Sequence, residues 1–223
     1  MPFANGICGI RTSYQGCCGK VICCGCVKAS ADEIKKGNLK SWCPFCRMPF
    51  HETDKEYIKR FKKRMKLNDA VAFHFLGMEY RDGGSGLKQD YRKAFELYTQ
   101  AAELGSIKAH YSIALAYSGS KGVDHDTKKA IYHYKLAAIG GHEAARHILG
   151  CTEKQLNNNV DRAMKHYMIA ARSGFDESLK AVGEGYRAGQ VTKDEYGNTL
   201  RAYQDSREDM KSEPRARAVT FWD

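Results

Sequence analysis

Eight of the nine cysteines fall within residues 1–46: Cys8, Cys17, Cys18, Cys23, Cys24, Cys26, Cys43 and Cys46; only Cys151 lies beyond them. A tetrahedral ion such as zinc takes four soft or borderline ligands, and a Cys-x-x-Cys knuckle presents two thiolates to one ion. Two such pairs stand here, Cys23 with Cys26 and Cys43-Pro44-Phe45-Cys46, with 16 residues between them. That spacing suits a zinc site. Cys17 and Cys18 precede them, and Cys8 lies further up. So dense a set reads as metal-binding rather than as buried structural thiols. Disulfides are not expected: the first residues, MPFANGICGIRTSYQG, lack the basic start and apolar core of a signal peptide. The expected home is therefore cytoplasmic or nuclear, where cysteines stay reduced.

Other chemistries find less support. A cysteine hydrolase needs a thiol with convergent His and Asn or Asp, and nothing marks such a set around Cys151, which reads as a packed thiol. The stretch DGGSG at 82–86 lacks the strand and the Lys-Ser/Thr of a phosphate loop. His74, His110, His133, His142, His147 and His166 share no short motif and read as surface or groove residues. No apolar run approaches the roughly 20 residues of a membrane helix.

Charge is uneven along the chain. The net +10 divides into +5 on residues 1–51, +4 on 52–67 and +1 on the remainder. Residues 52–67 place Tyr57, Ile58, Phe61 and Met65 on one helical stripe, with Thr53 or Asp54 as the cap. Lys59, Arg60, Lys62, Lys63, Arg64 and Lys66 fall mostly on the other face. This reads as a solvated helix between two modules. A nuclear import signal or a nucleic-acid contact is the sharper and weaker alternative, because ligand thiolates would cancel part of the positive charge.

These candidate ligands are followed by a repeating chain. KAFELY (93–98), KAIYHY (129–134) and RAMKHY (162–167) each lead into an Ala-Ala pair, at 101–102, 137–138 and 170–171, and then into Gly105, Gly140 and Gly174. A fainter copy, NTLRAY, occupies 198–203. Upstream of each stands a second element holding Leu76-Gly77, Ile113-Ala114, Leu149-Gly150 or Val182-Gly183 in one register. A period in the thirties with two helical segments predicts a stacked helical solenoid. The small residues let paired helices cross closely, Tyr and Leu are expected between successive hairpins, and the three glycines are expected as left-handed caps. Asp90 and Asp126 are expected to start the second helices.

Residues 68–205 resemble Sel-one-like repeats, relatives of the tetratricopeptide repeats. Residues 109–141 carry the pattern most fully, with Gly122-Val123, Asp126, Lys129-Ala130, Tyr134 and Ala137-Ala138. The third copy has Asn157-Asn158-Asn159 in place of the Gly-Val-Asp loop. The resemblance implies an interaction surface for a protein partner and no catalytic residues.

The cysteine region resembles a RING finger, the cross-braced two-zinc domain of many ubiquitin ligases. Cys18-Gly-Lys-Val-Ile-Cys23-x-x-Cys26 is similar to its C-G-H-x-x-C-x-x-C stretch, Cys43-Pro44-Phe45-Cys46-Arg47 to its closing C-P-x-C-R, and Ile7-Cys8 to the end of its opening pair. Lys20 stands where that family has a His ligand, and an ammonium cannot bind zinc, so the resemblance implies Cys17, Cys18, Cys43 and Cys46 as one zinc site. Cys8, Cys23 and Cys26 form the other, with Cys24, Asn5 or water as its fourth ligand. Asn5 stands where the first cysteine belongs, which implies either a degenerate site or a chain that starts inside a longer domain. By the same resemblance Ile7, Pro44 and Phe45 contact a ubiquitin-conjugating enzyme and Arg47 bridges it to ubiquitin.

The expected protein is mostly α. A small zinc-stabilised RING-like module (1–51) is followed by a basic linker helix (52–67), a solenoid of helix-turn-helix repeats (68–107, 108–142, 143–175 and 176–205) and a C-terminal tail (206–223). The leading functional expectation is a ubiquitin ligase or ligase-like adaptor. The alternative is a non-catalytic interaction scaffold whose zinc module is structural.

Overall fold

The computed structural model describes residues 12–23, 30, 32, 34–37, 43, 45–46, 48–49 and 53–209. Two strands, β1 (Thr12–Gln15) and β2 (Lys20–Cys23), form an antiparallel hairpin with Tyr14 opposite Val21. Nine helices follow among the described residues: α1 (Asp54–Met65), α2 (Ala70–Asp82), α3 (Tyr91–Glu103), α4 (Ile107–Gly119), α5 (Thr127–Ile139), α6 (Glu143–Gln155), α7 (Val160–Arg172), α8 (Asp176–Arg187) and α9 (Lys193–Asp209). None is long and apolar enough to cross a membrane.

Capping residues set the starts. The first free amides of a helix need acceptors, and short polar side chains supply them. Thr53, Asp69, Asp90, Ser106, Asp126, His142 and Asn159 do so for α1 to α7 in turn. Asn159 thus takes the task that Asp90 and Asp126 perform in the earlier copies. Phe175 precedes α8 without a side-chain cap.

The helices pair as α2 with α3, α4 with α5 and α6 with α7, and successive pairs stack. Each pair has a seam of small residues. Tyr98, Tyr134 and Tyr167 are buried. A Cβ on Gly77 would meet the Tyr98 ring at 2.6 Å, and one on Gly150 would meet Tyr167 at 2.6 Å. Ala114 shares a buried cluster with Tyr134. The tyrosines therefore fill the crossing within each hairpin rather than the space between hairpins, because the helix backbones there are close enough for a ring to lie directly on glycine.

Contacts between hairpins are partly polar and join the first helices of neighbouring pairs. His74 meets Ser112 at 3.0 Å, Tyr111 stacks on His142 at 4.2 Å between ring centroids, and His147 meets Ser178 at 2.8 Å. His74 is thus a core residue, not a surface one, and burial holds its pKa down at about 3, so it stays neutral.

The middle hairpin also corrects the expected cap glycine. Gly141, with φ 92°, takes the left-handed turn after α5, as Gly105 and Gly174 do after α3 and α7. Gly140 has φ −72° and is small for another reason: a Cβ there would meet Ile107 at 2.6 Å. The last pair is looser. A Cβ on Gly183 would reach Tyr196 only at 3.8 Å, and Tyr203 is part-exposed and donates its hydroxyl to Asp176. Helix α9 runs on to Asp209.

Candidate metal centre

The turn between β1 and β2 carries Cys17 and Cys18. The amides of Cys18 and Gly19 both donate to the Gln15 carbonyl, at 3.1 and 2.8 Å, which folds the turn tightly. Gly19 sits at φ 75°, where L side chains are strained. A Cβ there would also overlap the Arg64 guanidinium. Across from this turn, the Cys43 amide donates to the Met48 carbonyl at 2.8 Å and closes the Cys43–Cys46 knuckle.

The two turns bring four sulfurs together. Cys18 Sγ lies 3.7 Å from Cys43 Sγ, and Cys46 Sγ lies 3.4 Å from Cys17 Sγ. All four sulfurs lie within 4.8 Å of one another. Ligands bonded at about 2.3 Å to a tetrahedral zinc stand about 3.8 Å apart, so the set fits such an ion without rebuilding the turns. Four protein ligands also close the coordination sphere, which is the pattern of structural rather than catalytic sites.

Electrostatics at the cluster depend on backbone amides as well as burial. Burial pushes the Cys17 thiol up, and hydrogen bonds with Cys46 and Cys43 add to this. Burial also raises Cys18, although the Lys20 amide faces its sulfur and opposes the shift. At Cys43 burial pushes up, but the amides of Cys46 and Phe45 outweigh it and hold the group below its ordinary value. These amides would stabilise thiolate charge, as charge-assisted hydrogen bonds do.

A second layer fixes the first turn against the helices. The Tyr14 ring lies 5.4 Å from both Phe61 and Phe75, and its hydroxyl donates to Asp69 Oδ2 at 2.6 Å. Arg64 donates to the same oxygen from Nε and Nη2, at 2.9 and 2.7 Å. The other oxygen of Asp69 caps α2 by accepting from the Val71 and Ala72 amides. Burial alone would raise the Asp69 pKa, but the Tyr14 and Arg64 bonds outweigh it and keep the carboxylate ionised. The Pro49 carbonyl accepts from Arg60 at 2.9 Å, which ties the knuckle segment to α1 as well. The sequence reading missed this arrangement. Its one local signal is an Asp directly before the apolar run AVAFHF.

Among the other residues singled out in the sequence, Phe45 is 51% exposed and Met48 near it is 43% exposed. Lys20 opens β2 with an exposed side chain, and only its backbone amide faces the Cys18 sulfur. Asn5, Ile7, Cys8, Cys24, Cys26, Pro44 and Arg47 lie outside the described residues, as does the side chain of Cys23. The cluster around Cys8, Cys23 and Cys26 therefore has no geometry to report, and the same holds for residues 210–223.

Comparison with known proteins bears on the helices. Residues 70–106 and 107–142 match the family described as Sel1 repeat. A crystal structure of a Sel1 repeat protein from Oxalobacter formigenes superposes with a TM-score of 0.58 at 30% identity, covering 68% of this chain and 64% of that one. Residues 70–142 carry two Sel1 repeats. The DAP3-binding cell death enhancer 1 of Rattus norvegicus is 27% identical over 190 residues, 68% of this chain and 36% of that protein. Chitin synthase regulatory factor 3 of Schizosaccharomyces pombe is 37% identical over 85 residues, 37% of this chain and 9% of that protein. The chain thus spans well under half the length of these relatives. The matched residues hold α2 to α5, the first two hairpins of the array.

Proposed function

We propose that this protein is a protein–protein interaction scaffold in which the four-cysteine cluster holds a structural zinc ion at one end of a Sel1-repeat array. The observation that carries this reading is the repeated hairpin itself. The first three crossings use their small residues and their tyrosine for internal closure, and the second helices leave large apolar side chains outward. Ile139 is 78% exposed and Tyr132 58%. Ile169 on the next second helix is exposed too. The relatives fit the same picture, since one is named for binding another protein and one for regulating an enzyme.

Two measurements test the proposal. Elemental analysis of the chain, purified without chelator, is expected to give at least one zinc per chain, falling by about one in a Cys18→Ser, Cys46→Ser variant. Finding no zinc would remove the metal. Full-length chain carrying a photo-crosslinking residue at 132, 139 or 169 is expected to capture the same discrete proteins from each position. Diffuse labelling that does not depend on position would count against the scaffold.

One observation favours a second reading. The exposed Phe45 and Met48 flank the sulfur cluster, in the region where the RING resemblance implies a conjugating-enzyme contact. If that contact exists, the chain stimulates discharge of ubiquitin-charged conjugating enzyme onto free lysine. Phe45→Ala then abolishes the stimulation while zinc stays bound. A zinc-loaded chain that stimulates no conjugating enzyme in a broad panel leaves the scaffold alone.

A further inference from the structure

Cys151 reads from the sequence as a packed thiol, but the third hairpin puts a base beside it. Its sulfur lies 3.6 Å from His147 Nε2, one turn earlier on α6, and accepts from the Tyr167 hydroxyl of α7 at 3.4 Å. The other ring nitrogen, His147 Nδ1, meets Ser178 Oγ of α8 at 2.8 Å. Ser178 is fully buried, whereas Cys151 and His147 are part-exposed. The repeats provide an internal control. His74 stands at the same position of α2 and meets Ser112 of the next pair, but through Nε2. Four residues on, α2 has Met78 and α6 has Cys151. The histidine–serine contact is therefore part of the stacking, and the third hairpin adds a thiol and turns the ring so that Nε2 faces it.

The set is complete in donors and acceptors for two placements of one proton. With the proton on sulfur, S–H donates to Nε2 and Nδ1–H donates to Ser178. With the proton on Nε2, the imidazolium donates to both the thiolate and Ser178. The Tyr167 hydroxyl donates to the sulfur in either case. The proton thus shifts without rearranging a partner, which is what a nucleophile and its oriented base require. The His147 bond holds the Cys151 pKa below its ordinary value although burial opposes it, and the Tyr167 bond adds to the lowering. From α8, the Glu184 carboxylate acts on Tyr167.

We propose that Cys151 is a peroxide-reactive modification site, at which hydrogen peroxide converts the thiol to a sulfenic acid with His147 serving first as base and then as acid. The thiolate sulfur attacks one peroxide oxygen and the O–O bond breaks. The departing hydroxide takes the proton from His147 Nε2 and leaves as water, while the other oxygen stays on sulfur with its hydrogen as S–OH. Sulfur gives up two electrons and the peroxide takes them. Two features select this electrophile. Hydroxide is a poor leaving group that needs the proton at Nε2, whereas the thiolate leaving a disulfide is a far weaker base. The sulfur is also part-covered beside the buried Tyr167 ring, which admits a molecule of two oxygens and hinders one as bulky as glutathione disulfide. The proposal goes beyond the scaffold reading and does not depend on it.

The test follows Cys151 by peptide mass spectrometry in the full chain, purified without chelator and treated with hydrogen peroxide and dimedone, which traps sulfenic acids. At pH 7 labelling is expected about tenfold faster in the folded than in the urea-unfolded chain, because an ordinary thiol is only a few per cent thiolate there. His147→Gln should lose this advantage and His74→Gln should keep it, with circular dichroism showing that each variant is folded. If His147→Gln does not fold, the pH profile of the parent decides. Alkylation of Cys151 by iodoacetamide should fall off at lower pH in the folded than in the unfolded chain, and coincident profiles overturn the ion pair. Glutathione disulfide should react more slowly with Cys151 in the folded chain than in the unfolded one. The site is overturned if Cys151 takes no dimedone, if folding does not speed its reaction with peroxide, or if folded His147→Gln reacts as fast as the parent. Glutathione disulfide that is accelerated by folding as much as peroxide overturns the choice of electrophile.

Discussion

The three seam glycines allow a test in which two opposing effects can be separated by sign. Replacing a mid-helix glycine by alanine gains about 1 kcal/mol from helix propensity and lost unfolded-state freedom. Against this stands the space available for the new methyl. At Gly77 it would sit 2.6 and 2.8 Å from two carbons of the Tyr98 ring and 3.3 Å from the Ala94 carbonyl. At Gly150 the nearest Tyr167 atoms are at 2.6, 2.8 and 3.1 Å. Both rings are buried, so relief requires the helices to part, and overpacking of this kind costs about 1–3 kcal/mol. At Gly183 the nearest atom is 3.8 Å away, an ordinary contact. Gly77→Ala and Gly150→Ala should therefore lose up to about 2 kcal/mol net, while Gly183→Ala should gain up to about 1 kcal/mol. For a chain of this size about 1 kcal/mol moves Tm by 2–4 °C, so the variants should melt on opposite sides of the parent. Thermal and urea melts of the full chain, read by circular dichroism, measure this. Shrinking the ring partner, as in Gly77→Ala with Tyr98→Leu, should cost less than the two single changes added together, because the clash is shared. If Gly183→Ala destabilises as much as Gly77→Ala, or if all three stabilise, ring-on-glycine contact is not what holds the hairpins closed.

Acid should weaken the array through His74. Its folded pKa of about 3 lies below the ordinary 6.5, so the stability it contributes is complete above about pH 6.5 and is lost as pH falls toward 3. At pH 5 the loss is about 2 kcal/mol. His74→Gln keeps a partner for Ser112 and should flatten the dependence of urea midpoint on pH between 5 and 7; an unchanged slope would remove His74 as the cause. Asp69→Ala removes a cap and leaves Arg64 and the Tyr14 hydroxyl unpaired, so it should cost about 3 kcal/mol or more. Asp69→Asn keeps most of the cap and should cost less, with chemical denaturation separating the two.

The repeating part of the chain was legible because its constraints are local and recur. Gly77, Ala114 and Gly150 occupy one register, so spacing exposes the small-residue seam, but it placed the tyrosines between successive hairpins, whereas each faces the small residue of its own hairpin. The contacts between hairpins were not legible. His74, Tyr111 and His147 stand at the fifth position of α2, α4 and α6, but Tyr interrupts the series and the partners Ser112, His142 and Ser178 stand at different positions of their helices, which hides the contacts from a search for identity. The last copy shows where pattern misleads. NTLRAY keeps a Tyr in register, but Tyr203 lies part-exposed against Asp176, and it is Tyr196 that approaches Gly183 and stacks on Tyr186 at 5.0 Å. At the sulfur cluster, the two pairs of cysteines were visible from spacing and from family resemblance. Tyr14, Arg64 and Asp69 were not, since they come from a strand, the basic helix and the cap of the next helix, and no short motif spans them. Arg64 had been counted among the solvated charges, yet it is the residue that fastens the carboxylate.

Joining β1, α1 and α2 through one carboxylate also sets a geometry beyond its own contacts. Two modules on a flexible tether sample many relative orientations, and anything bound to both is held only by effective concentration. Here Asp69 lies where such a tether would bend, and its oxygens are occupied from three directions. The chain is in this respect a bracket. The turn that carries Cys17 and Cys18 is therefore held at a fixed distance and angle to the first helices of the array, so the sulfur end serves as a datum for the hairpins that follow.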